Sequence, residues 1–394
     1  MNAFSYRIQK IRPSITREIM QYATDPSFIS FAGSAPAAEA LPSEFIREIT
    51  CELLENDAFS VLGHTPAEGY KPLRDIIKDR LYSKGILNWN DDDVIITSGA
   101  HQSLDILSKL ICNEGDAVIC PNPCPAELMN TFRGYGARLV GVPLDSDGMS
   151  AAYLEQALTE NQRTAFIYVC PDFSDPTGIT MSEERRREIL EIAYRHNVLI
   201  VEDASFSDIR FVGADLPSIR SMDKKGIVFY TGSFSASVAP GISVGYLCCS
   251  GNIIPRAVCL LEGATLHADT LSQRIIHRLL TRYDYDEYLY EVCELYRRKS
   301  DLMLNCLKYK MPSSVSFTEP DGGIFLWGTI PEGDINYFLR KAIDNKVLIV
   351  PGTAFVTEEG MPSLSFRINY TGVSDEEIEK GTDRLAMAAK TLYK

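Results

Sequence analysis

The stretch Tyr230-Thr231-Gly232-Ser233-Phe234-Ser235-Ala236-Ser237-Val238-Ala239-Pro240-Gly241-Ile242-Ser243-Val244-Gly245-Tyr246 reads as a strand, a serine-rich turn and a second apolar strand. Aromatic and β-branched residues suit the extended ends, and Ser, Pro and Gly suit the connection between them. Outward from it toward the N-terminus, strand and helix patterns alternate from Ala117-Val118-Ile119-Cys120 to about residue 249, with turn residues between. Such alternation predicts crossover helices on a largely parallel sheet, an α/β fold whose ligand site lies at the carboxyl ends of the strands. The loop Asp172-Phe173-Ser174-Asp175-Pro176-Thr177-Gly178 and the segment Glu202-Asp203-Ala204 both fall at such ends.

Further upstream, Asp93-Val94-Ile95-Ile96-Thr97-Ser98-Gly99-Ala100-His101-Gln102 reads as strand, glycine turn and helix start. The free N–H groups and positive dipole end of such a helix hold a phosphate without any side chain. Beyond about residue 285 the pattern changes to long polar helices over Glu287–Lys310, short strands such as Leu364-Ser365-Phe366-Arg367-Ile368-Asn369-Tyr370, and a last helix over 374–392. The expected division is an N-terminal arm over 1–45 that joins the small domain, a large α/β domain over 46–285, and a small α+β domain over 286–394.

The chain has 394 residues, 45% of them hydrophobic, enough for a sizeable core. Its formal charge of -14 argues against nucleic acid or an anionic membrane as partner, since both reward a basic face. The 10 cysteines show neither CxxC pairs nor zinc-ligand spacing, and several sit in apolar runs such as Leu247-Cys248-Cys249. They read as reduced, buried side chains in a reducing compartment, and no metal site is assigned. Met1-Asn2-Ala3-Phe4-Ser5-Tyr6-Arg7 carries no apolar signal core, and no apolar run approaches the roughly 18 residues of a membrane span. A cytoplasmic protein is expected.

These motifs together resemble the class I/II aminotransferases, fold-type-I enzymes that use pyridoxal phosphate, the 2-aminoadipate and aromatic aminotransferases among them. The likeness extends over nearly the whole chain: Ile29-Ser30-Phe31-Ala32-Gly33-Ser34, Gly63-His64-Thr65-Pro66-Ala67-Glu68-Gly69-Tyr70, the Asp172–Gly178 loop, Asp203, the opening stretch and Arg367 all match family segments. The resemblance implies a homodimer in which the segment around residue 64 reaches the partner's site. It implies that Gly99, Ala100, His101, Ser233 and Ser235 surround the cofactor phosphate, that Asp203 partners the pyridine nitrogen, and that Arg367 clamps a substrate carboxylate.

The departures concern the same ligand. Where the family has the imine-forming lysine stands Ala236, and where it has a phosphate-gripping arginine stands Ser243. His64 and Phe206 replace tyrosines, Asp175 replaces an asparagine, and Pro125 falls at the ring-stacking position. A lone Lys-to-Ala change would suit an engineered, inactivated aminotransferase, but five accompanying changes favour natural loss. The expectation is therefore a repurposed, pyridoxal-independent enzyme acting on a small carboxylate or amino-acid-derived substrate by acid–base chemistry. Asp175, Asp203 and His101 are its candidate proton carriers, with Arg367, Ser34, His64 and Cys124 around the substrate. No covalent cofactor is expected, and pyridoxal phosphate only as a non-covalent ligand in a vestigial site. The alternative to an enzyme is a non-catalytic subunit or ligand sensor paired with an active homologue.

Overall fold

Residues 4–88 and 90–391 are described by the computed structural model. The end of the last expected helix, at 392, and the first three residues of the N-terminal stretch lie outside them. In chain order the strands are β1 (Ile29–Ser30), β2 (Asp92–Thr97), β3 (Ala117–Asn122), β4 (Arg138–Asp145), β5 (Gly148–Met149), β6 (Thr164–Val169), β7 (Leu199–Asp203), β8 (Val228–Ser233) and β9 (Gly245–Ser250). After three helices follow β10 (Ser316–Phe317), β11 (Phe325–Thr329), β12 (Val347–Leu348), β13 (Val350–Pro351) and β14 (Ser365–Asn369).

Eight of these strands form one sheet in the order β2-β9-β8-β7-β6-β3-β4-β5. Its centre is parallel, β8 to β7 to β6 to β3 to β4, as the alternation predicts. The edge strand β5 runs antiparallel to β4, and the opening stretch leads into a second exception: β9 runs antiparallel to both β8 and β2. Two reversals restore the direction, so the carboxyl end of β2 lies on the same edge as those of β6, β7 and β8. The middles of the central strands are apolar because helices cover both faces; Ile119, Ile167 and Ile200 have no exposed surface on one side, nor Val118, Val201 and Leu247 on the other.

The helices follow their local signals. Lys71–Ser83 starts with proline in its first turn and buries Leu73, Ile77 and Leu81 at four-residue spacing. Glu183–His196 is capped by Ser182 and ends at Asn197 in the left-handed conformation. Asp375–Ala389 carries a reciprocal cap between Ser374 and Glu377. The helix Ser43–Leu62 is not anticipated from sequence. It buries Ile49, Leu53 and Val61 but leaves Leu54, Phe59 and Leu62 exposed, which blurs its apolar period.

A second sheet, β10-β11-β14-β13, is antiparallel. The N-terminal arm joins it through the parallel pair of β1 with β12. Phe31, Ala37 and Ala40 of the arm share a core with Phe325, Phe338, Phe366 and Leu385. Lys299, with no exposed surface, is held there by the Val373 carbonyl at 2.7 Å and by Glu39 and Asp375. Among the described residues no helix is long and apolar enough to cross a membrane.

Candidate active site

The carboxyl ends of β2, β6, β7 and β8 open on a cavity of about 390 Å3, to which the arm and the second sheet add Ser34, Pro36 and Ile324. One part of its wall is shaped for an anion. The helix Gly99–Ile111 begins there, directly after β2. Gly99 has a φ of +73°, and a Cβ on it would stand 3.5 Å from Ser243 Oγ and 4.0 Å from Ser235 Oγ. Bare backbone, a helix N-terminus and two hydroxyls therefore converge on one point. Beneath it, a Cβ on Gly245 would come within 2.7 Å of the Ala100 nitrogen, so β9 and the helix start touch backbone to backbone. Ser233 completes the turn, its Oγ accepting the Ser235 N–H at 3.1 Å.

Asp203, the last residue of β7, is buried in another part of the wall. Its Oδ1 accepts from the Ser205 amide at 3.1 Å and the Ser205 hydroxyl at 2.5 Å, and its Oδ2 from the Tyr168 hydroxyl at 3.0 Å. All three donors are neutral. Burial raises its carboxyl above the ordinary value, and these hydrogen bonds and His101 hold the rise in check.

Asp175 also faces the cavity, but its charge is answered from within the chain. Arg367 Nη1 donates to Asp175 Oδ1 at 2.8 Å, and Nη2 donates to the Ala32 carbonyl at 3.1 Å. The guanidinium lies 4.2 Å from the Phe325 ring centre and 5.0 Å from that of Phe355. Its Nε is buried without a partner. Arg367 is 3% exposed and stands behind Asp175, outside the cavity wall. Burial pushes the Asp175 carboxyl up, Arg367 pulls it down, and Glu127 and Asp203 push it further up.

Ser34, Gly99, Ala100, His101, Asp175, Asp203, Ser233, Ser235, Ala236 and Ser243 thus surround one cavity, joined by Pro125 and Phe206. At Ala236 the wall offers a methyl group, and among the described residues no lysine lines the cavity. His101 hydrogen-bonds Thr131 Oγ1 through Nε2 at 2.9 Å. Three expected members are absent from the wall: Arg367, Cys124 and His64. Cys124 is sealed in the core of the large sheet, with its thiol pKa pushed up by burial. His64 is exposed, its Nδ1 3.1 Å from Nε2 of His267. The expected carboxylate clamp changes character too, since both terminal nitrogens of Arg367 are engaged inside the chain. Sequence reasoning misses Tyr168, Ser205 and Glu127. Tyr168 sits in the apolar run Phe166-Ile167-Tyr168-Val169 and reads as core; the only cue for Ser205 is its place two residues after Asp203.

The fold is that of the fold-type-I aminotransferases. The chain belongs to the aminotransferase class I and II family, whose model matches residues 36–385. Aromatic-amino-acid aminotransferase 1 of Thermococcus litoralis is 33% identical over 392 residues, spanning 98% of this chain and 94% of the relative. The crystal structure of Pyrococcus horikoshii kynurenine aminotransferase, in complex with PMP (pyridoxamine phosphate), superposes with a TM-score of 0.94 at 31% identity, over 100% of this chain and 98% of that one. LysN, the alpha-aminoadipate aminotransferase of Thermus thermophilus, complexed with N-(5'-phosphopyridoxyl)-L-leucine, gives 0.91 at 30% identity over 99% and 98%.

These findings correct one expectation. No covalent cofactor, with pyridoxal phosphate at most a non-covalent ligand, is overturned by membership of a pyridoxal-phosphate family whose solved members carry PMP and a phosphopyridoxyl group. The residues present fit much of that group. The Gly99 cradle with Ser235 and Ser243 suits a phosphate, and Asp203, held only by neutral donors, suits a protonated ring nitrogen.

Proposed function

We infer that this chain binds a pyridoxal-type phosphate cofactor in the cavity and serves there a small substrate bearing an amino group. The observation that carries the reading is the joint presence in one wall of the Gly99 cradle and of Asp203, hydrogen-bonded only by neutral donors. Bound there, the group supplies an electron sink for the bond next to the substrate amine. Asp203 keeps a proton on the ring nitrogen, the helix start with Ser235 and Ser243 anchors the phosphate, and Phe206 and Pro125 exclude water. His101 and Asp175 are the titratable side chains of the wall left to move a proton near the substrate. Ala236 carries none, so ordinary amino-group exchange is not expected of this chain.

Calorimetric titration with pyridoxamine phosphate and with pyridoxal phosphate, followed by absorbance between 300 and 500 nm, tests the reading. Saturable binding weakened by Asp203→Asn supports it; no binding of either compound ends it. Ala236 also favours a second reading, a non-catalytic subunit or ligand sensor. That reading predicts binding without turnover of any amine, and a mixed dimer on co-expression with a lysine-bearing relative.

A homodimer is part of the first reading. Phe59 is 95% exposed, Leu62 69% and Leu266 61%, and they flank the paired His64 and His267, a large apolar area for one chain to leave in water. Sedimentation at micromolar concentration should give a dimer, and Phe59→Asp a monomer.

A further inference from the structure

Within that reading, the wall around Asp175 bears on which amines are served. A substrate carboxylate needs a guanidinium that presents a free fork and an unspent charge. Arg367 presents neither: Nη1 is taken by the Asp175 carboxylate at 2.8 Å, Nη2 by the Ala32 carbonyl at 3.1 Å, and Nε is shut away from the cavity. Two phenylalanine rings hold the guanidinium where it is. Toward the ligand the wall shows the carboxylates of Glu127, Asp175 and Asp203 and the imidazole of His101, and neither lysine nor arginine.

We propose that Asp175 stands in for the carboxylate of an amino acid, so that this cavity takes primary amines without an α-carboxylate. The inference rests on the phosphopyridoxyl reading above. A ligand carboxylate entering beside Asp175 brings a second negative charge to one guanidinium, or else displaces Asp175 and leaves it buried without its partner. Either outcome is costly beside a guanidinium that is itself only 3% exposed. An amine that ends in hydrogen or carbon at that position leaves the buried Arg367 with its one countercharge.

Two reduced adducts differing in a single group decide the matter: N-(5'-phosphopyridoxyl)-L-leucine and N-(5'-phosphopyridoxyl)-3-methylbutylamine, titrated calorimetrically into the native chain and into Asp175→Asn. The expected result is at least about tenfold tighter binding of the amine adduct by the native chain, and a ratio moved at least about tenfold toward the leucine adduct in the variant. Equal or tighter binding of the leucine adduct by the native chain overturns the proposal, whether or not the variant folds. So does an unchanged ratio in a folded variant. Pyridoxamine phosphate is titrated alongside. If it binds while neither adduct does, the amine assignment falls and the cofactor reading stands. If it does not bind, both fall.

Discussion

Two acidic side chains face the same cavity, and they are treated in opposite ways. Asp203 is held by a serine and a tyrosine, which orient it but bring no charge. Asp175 has an arginine behind it, pinned by a carbonyl and two aromatic rings. The first leaves its electrostatic complement to a ligand, whereas the second is completed within the chain. A buried charge without a countercharge marks where a cofactor is to be sought, and one that is already paired marks what the site declines to bind.

The contrast is most sharply broken by removing a partner. Arg367→Gln leaves the half-buried Asp175 unanswered and should destabilise the fold by up to about 3 kcal/mol in urea denaturation near neutral pH. Asp203→Asn removes a carboxylate that burial already disfavours, so it should leave stability unchanged or raised at pH 8. A matched loss in both variants would erase the distinction. Glu202, buried on the neighbouring position of β7 and bonded to the Ile219 and Arg220 amides, provides a reference outside the cavity. Burial raises its pKa from 4.5 to about 7. A carboxyl raised on folding binds its proton more tightly in the native state. Its share of stability is thus full below the unfolded value and declines as pH rises through about 7, an overall change of about 3 kcal/mol. Denaturation midpoints measured between pH 4 and 8 should show the decline, and Glu202→Gln should flatten it.

Smaller effects probe the cofactor side. Asp203→Asn should weaken pyridoxamine phosphate by about 1.5–3 kcal/mol, roughly tenfold to a hundredfold, as expected for loss of a charge-assisted hydrogen bond. Ser235→Ala, which removes one neutral donor of three or more, should cost about 0.5–1.5 kcal/mol by the same titration. Equal losses in these two would mean that Asp203 carries no special role.

Much of the fold is legible in the sequence because its signals are local. The glycine turn at 99, the alternation beyond 117 and the serine caps each act within a few residues. The helix Ser43–Leu62 escapes because Leu54, Phe59 and Leu62 on its outward face interrupt the apolar period set by Ile49, Leu53 and Val61. The site is legible by residue type and less so by partnership. Asp203, Ser235 and Gly99 are found where a strand end or turn would put them. Arg367 is recognised as a carboxylate binder, but the carboxylate it binds comes from 192 residues earlier in the same chain, a pairing that only the folded structure brings about. Cys124 is misplaced for the converse reason: next in sequence to the wall residue Pro125, it points into the core.

The antiparallel β9 has a consequence for how the protein comes into being. β2, made early, meets no other strand of the sheet than β9, and Asp92 must wait for Ser250. During synthesis the segment through residue 97 and the helix behind it therefore have no sheet to join until the opening stretch has left the ribosome. The anion cradle at Gly99 is completed only after the parallel centre of the sheet is able to form. A nascent chain cut before residue 245 would carry Asp203 and the cradle's side chains but lack the strand that seats β2 and the helix start beside them.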